Sequence, residues 1–116
     1  MIDSRAEIYD LLTTLGYDVE YFYPENVIGN NFPKISYYLS NSTEVDYREG
    51  KPEYSENEIT VQVWEKKING TMTEIFTQVD ELLKANDYKR IYFDTVFDTE
   101  TKIFNHTMRY LKIFKY

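Results

Sequence analysis

The chain has no cysteine, a single histidine and a single tryptophan among its 116 residues. Without cysteine there is no disulfide, no thiol nucleophile and no thiolate metal ligand, a usage that fits a reducing compartment. One histidine with no cysteine is too few for a Cys/His zinc set or a cysteine-protease pair, and a serine triad is not expected to assemble in the usual way. The four glycines, Gly16, Gly29, Gly50 and Gly70, are scattered, so no phosphate-cradling loop is present. Positive charge is also scarce, with 13 Lys and Arg against 20 Asp and Glu and a net charge of −7. Its only adjacent basic pairs are Lys66–Lys67 and Lys89–Arg90. Phosphate binding needs clustered cations to displace counterions, so sequence-specific nucleic-acid binding is not expected. The first residues, MIDSRAEIYDLL, hold no apolar run of signal-peptide length, and no segment nears the roughly 20 apolar residues of a membrane helix. The sequons at Asn41, Asn69 and Asn105 therefore read as chance matches.

What the chain does have is aromatic surface, with 12 Tyr and 7 Phe. Tyrosine buries its ring and keeps its hydroxyl wet, which suits a small domain with large half-exposed faces. The length predicts one domain, with a radius of gyration of roughly 13 Å if compact.

Periodicity orders the elements. Ser4 and Glu7 have capping-box spacing, and Ile8, Leu11, Leu12 and Leu15 then form one apolar helical stripe that Gly16 ends. A short strand is expected over Tyr17–Tyr23, stopped by Pro24, with a loop up to Pro33. A clearer strand follows, with Ile35, Tyr37 and Leu39 on one side. The stretch 41–57, NSTEVDYREGKPEYSEN, is polar and contains Gly50 and Pro52. It is expected to be a long, mobile hairpin connection. Ile59, Val61 and Val63 mark the inward face of a strand ending near Trp64. Thr71 and Glu74 have capping-box spacing, and Met72, Ile75, Phe76, Val79, Leu82 and Leu83 predict a helix over 72–85. Two alternating segments close the chain. Ile91, Phe93, Thr95 and Phe97 oppose Tyr92, Asp94 and Val96; after an acidic turn, Phe104, His106, Met108 and Tyr110 oppose Asn105, Thr107, Arg109 and Leu111. The expectation is an α+β domain with a mostly antiparallel sheet of four to five strands and two helices on one face.

No reaction site emerges. Asp94, Asp98 and Glu100 lack the six to eight oxygens and loop spacing of a calcium site, and read better as a charged hairpin turn. His106, amid apolar residues, reads as a packing residue. Arg109 is expected to pair across strands with Asp94 or Glu100, or else to serve a contact between subunits. Trp64 is expected in the core or at a sheet edge, with an interface role as the sharper alternative. No catalytic residue, metal or cofactor is assigned.

An N-terminal helix, Tyr23-Pro24-Glu25, the strand Phe32-Pro33-Lys34-Ile35-Ser36-Tyr37, the strand Ile59-Thr60-Val61-Gln62-Val63-Trp64, a helix, and then Tyr88 to Arg109 with Asp98-Thr99-Glu100-Thr101 and His106-Thr107-Met108-Arg109-Tyr110 follow in order. In this order of elements the chain resembles the tail-completion and head–tail-joining proteins of long-tailed bacteriophages and prophages. The resemblance implies a non-enzymatic virion assembly subunit that forms a ring, often hexameric, the isolated protein being either a monomer or already a ring. Such a ring caps the tail tube and meets the head-side connector, in particles assembled in the bacterial cytoplasm. Its partners are then further copies of itself, the major tail tube protein and the connector, with no membrane. The interface residues expected on this reading are Tyr47, Arg48 and Tyr54 in the 41–57 loop, Asp98, Glu100 and Lys102 in the acidic turn, and Trp64 and Arg109. The charge of −7 motivates an alternative, an acidic inhibitor or DNA mimic that binds a host protein. Its carboxylates are interleaved with Lys, Arg and Thr, which counts against a phosphate-like array.

Overall fold

The computed structural model describes residues 2–22, 33–66 and 72–116, the side chains of 72–74 excepted. The Tyr23-Pro24-Glu25 motif, the expected loop before Pro33 and the second capping box lie outside the described residues. The elements are α1 (Arg5–Thr13), β1 (Asp18–Tyr21), β2 (Lys34–Arg48), β3 (Lys51–Lys66), α2 (Met72–Ala85), β4 (Lys89–Asp98) and β5 (Ile103–Lys115). The strands form one five-stranded sheet in the order β1-β2-β3-β5-β4. β1 runs parallel to β2, and every other pairing is antiparallel. The fold is α+β with a mixed, mostly antiparallel sheet.

Alternation along the strands builds one core. Ile35 and Tyr37 of β2, Ile59, Val61 and Val63 of β3, and Met108 and Tyr110 of β5 are buried in a single cluster with Ile8 and Leu12 of α1 and Ile75, Val79 and Leu83 of α2. Leu83 is fully buried, and its truncation to Ala should cost about 2–5 kcal/mol. The facing side of the sheet carries a polar chain across three strands. Trp64 Nε1 donates to Ser36 Oγ at 2.9 Å, Gln62 Nε2 donates to Thr107 Oγ1 at 3.4 Å, and Thr107 Oγ1 donates to Asn105 Oδ1 at 2.7 Å.

α1 begins at Ser4, but not by a capping box. The Ser4 hydroxyl caps no helix N–H; it donates instead to Oδ1 of the buried Asn57 at 3.1 Å, and the Ser4 backbone N–H points to the same oxygen at 3.3 Å. Asn57 in turn donates to Ser55 Oγ at 3.1 Å. A long-range tie to β3 has thus replaced the local cap, and it fixes where the helix enters the sheet. Gly16 adopts φ +84°, the left-handed turn expected after α1.

The 41–57 segment is not a loop. β2 and β3 stay paired from Lys34↔Trp64 to Arg48↔Lys51, with one irregularity at Leu39/Asn41. Glu49 (φ 53°) and Gly50 (φ 76°) make the two-residue turn that such hairpins favour. β5 follows the ribbon to Tyr54↔Lys115, with a last backbone bond from Tyr116 N–H to Glu53 O. Pro52 therefore sits where β3 has only β2 beside it, and its missing N–H removes no bond to β5. The ribbon draws the molecule out to 55 × 24 × 22 Å, with a radius of gyration of 15.6 Å rather than the compact value.

Candidate functional site

The C-terminal hairpin departs most from its sequence reading. β5 does bury one row, with His106, Met108 and Tyr110 inaccessible. β4 buries nothing: all ten of its residues are exposed. Ile91, Tyr92, Phe93, Val96 and Phe97 retain 47, 42, 41, 60 and 37 % of their accessible surface. The cause is position. Among the described residues β4 is the last strand of the sheet, with β5 on one side and no strand on the other. A bulge between Arg90 and Tyr92 also takes Ile91 out of the expected Phe93–Thr95–Phe97 row.

β4 is nonetheless held firmly. The Phe93 ring packs tilted against Phe76 of α2 with ring centroids 5.3 Å apart, and Phe97 against Phe104 at 4.4 Å. Thr95 Oγ1 lies 2.9 Å from His106 Nδ1, and His106 Nε2 lies 3.2 Å from Glu65 Oε2. Glu65 and His106 are both about 4 % exposed at the side chain. The order acid–imidazole–hydroxyl is that of nucleophile-activating triads. Here, however, the hydroxyl sits within a paired strand rather than on a sharp strand-to-helix turn. The line acts as a tie joining β3, β5 and β4. His106 is thus the satisfied buried residue expected, and its partners are what sequence reasoning missed.

The other expected contact residues fall into separate groups. Tyr47, 64 % exposed, and Arg48, whose side chain is 80 % exposed, lie at the ribbon tip. Arg48 Nε is 2.9 Å from Glu53 Oε1. Tyr54 pairs with Val45 and Lys115 and lines a shallow hollow of about 440 Å³ together with Arg48, Pro52, Glu53 and Tyr116. Asp98, Glu100 and Lys102 lie at the opposite end of the sheet. Asp98 Oδ1 accepts from the backbone N–H of Glu100 at 2.9 Å and of Thr101 at 3.4 Å, which holds its carboxyl below the usual range. Lys102 takes φ 61°, and its ammonium sits 6.0 Å from the Phe97 ring centre. Arg109 does not make the expected ion pair; its guanidinium lies over the Tyr92 ring opposite it, 4.9 Å from the centroid. Trp64 is only 7 % exposed and bonded to Ser36, so it offers a partner almost no surface.

The tip and the turn stand at the two ends of β3, because Arg48 pairs with Lys51 while Asp98 lies level with Lys66 through Ile103. No family model matches the chain. No curated protein matches it either. Among the described residues no group of three or more His, Cys, Asp or Glu side chains is placed to hold a metal ion.

Proposed function

We propose that this chain is a structural subunit of long-tailed bacteriophage particles, one that completes the tail and joins it to the head connector as a ring, without catalysis. The observation that carries the reading is β4: a ten-residue outer strand, every residue exposed, rich in large apolar side chains. Soluble monomers blunt such edges with lysine, proline or short strands. The run Tyr92–Phe97 has one charge, Asp94, and no proline, as suits a strand that acquires a neighbour. The placement of the ribbon tip and the acidic turn at opposite ends of the sheet also agrees. A joint between a tube and a connector needs two distinct ends, and its ring contacts come from the sides.

The mimic reading draws less support. Asp3, Glu7, Glu53 and Asp80 each lie within ion-pair distance of a cation, Arg5, Lys112, Arg48 and Lys84 respectively. Carboxylates neutralised in this way make a poor phosphate array.

Electron microscopy of the purified protein, alone and mixed with tail tubes that lack their terminal ring, tests the reading. Rings of this protein at one end of the tubes are expected. Tubes left bare at saturating protein concentration would sink it.

A further inference from the structure

The sheet is staggered. Through Leu111 and Glu58, Lys89 at the start of β4 lies level with Asn41 of β2. β2 runs on from there to Arg48, so the ribbon overhangs β4 by roughly 25 Å, at about 3.3 Å per residue. β1 covers the outer side of β2 only from Lys34 to Tyr37. Past Tyr37, among the described residues, no strand lies on the outer side of β2. Among the described residues the sheet therefore has two open edges on opposite sides, β4 over residues 89–98 and β2 over residues 38–48, of nearly equal length.

We infer that these two edges are the two halves of one contact: β4 of each copy pairs antiparallel with the overhanging outer edge of β2 in the next copy. The inference rests on the ring reading and names the contact that closes it. Three observations support a second copy as the occupant. Direction is the first. β2, β3, β5 and β4 alternate strictly, so a neighbour set beside β4 in the same orientation presents its β2 antiparallel to β4, with its helices on the same face. Charge is the second. Antiparallel pairing sets the basic start of β4, Lys89 and Arg90, beside the ribbon tip, which carries Asp46 near the end of β2, Glu49 in the turn, and between them Arg48, already paired with Glu53; opposite charges across strands are favourable. Stagger is the third. Because the open stretch of β2 lies beyond the level of β4, each copy is displaced along the strands relative to the last. A closed sheet of tilted strands requires a displacement of that kind. The contact is heterologous, so repetition gives a ring where the rotation closes, and never a two-fold dimer.

The absence of cysteine makes the test direct. Thr43 and Val45 on β2 and Asp94 and Val96 on β4 lie on the face away from the helices. Chains carrying Thr43→Cys or Val45→Cys together with Asp94→Cys or Val96→Cys are oxidised at high concentration and on tail tubes, then separated without reductant. At least one combination should give a ladder in multiples of 14.0 kDa, and no single-cysteine chain should give more than monomer. A Val96→Cys chain that cross-links to itself points to two-fold β4–β4 pairing and overturns the inference. Rings seen by microscopy with no ladder in any combination also overturn it, yet leave the ring reading standing. Tubes without rings and chains without ladders remove both.

Discussion

Glu65 and His106 are 41 positions apart in the chain and 3.2 Å apart in the fold, both buried. A buried carboxylate is tolerable only while its partners remain. His106→Leu leaves Glu65 without its imidazole and should cost about 3 kcal/mol. Glu65→Gln removes the charge and should cost less, and Glu65→Gln in the His106→Leu background should recover part of the loss. Urea unfolding of the four proteins measures the coupling. Additive losses would show that the two side chains contribute independently.

β4 allows interface and stability effects to be separated. Val96 is 60 % exposed and faces away from the helices, so Val96→Lys should change stability by no more than about 0.5 kcal/mol. Phe93 packs on Phe76, so Phe93→Ala should be costly to the fold itself. On the proposed function, Val96→Lys protein melts normally yet fails to restore infectious particles when it replaces the natural protein. Normal particle yields would clear β4 of any role in assembly.

The ribbon tip is separable from the core for a related reason. The core cluster draws on β2 only from Ile35 to Leu39 and on β3 only from Ile59 to Val63, whereas residues 46–51 at the tip are exposed. Replacing residues 46–53 by Asn-Gly, a sequence suited to a two-residue hairpin turn, should leave a folded protein. Some local loss is expected, since Tyr116 N–H donates to Glu53 O at 2.9 Å. Circular dichroism should be close to that of the full chain while tail completion is lost. Unimpaired tail completion would show that Tyr47 and Arg48 contact nothing.

The same residues explain how much was legible beforehand. Both helices and the strands around Ile35, Val61 and Met108 have one apolar face each, and that periodicity places them. The ribbon has no such face: Ser42, Thr43 and Glu44 oppose Asn57, Glu56 and Ser55. A strand held by backbone pairing and polar side-chain bonds leaves little hydrophobic period to read. β4 shows the converse. Its alternation is real, but burial depends on sheet order, and nothing within 89–98 says that this strand lies at the edge. Of the candidate contact residues, Tyr47, Arg48 and the Asp98–Lys102 turn could be placed from turn chemistry. Trp64 could not, because its bond to Ser36 spans 28 positions. The partners of His106 were hidden in the same way.

Two buried tyrosines should set the alkaline limit of the fold. Burial raises the Tyr110 phenol above its ordinary 10.0, and its hydrogen bond to Asp80, at 2.8 Å, raises it further. Burial likewise raises Tyr88, helped by the nearby Glu7 carboxylate. An acid whose folded pKa lies above its unfolded one stabilises the fold fully below the unfolded pKa, and that contribution drains away as pH rises through the interval. Stability should therefore hold up to about pH 10 and fall progressively above it. Absorbance at 295 nm should show most of the 12 tyrosines ionising reversibly, with Tyr88 and Tyr110 ionising only as the chain unfolds. Tyr110→Phe should lower stability at neutral pH, by removing the bond to Asp80, and flatten the alkaline decline. An unchanged decline in Tyr110→Phe would mean that Tyr88, or another group, governs it.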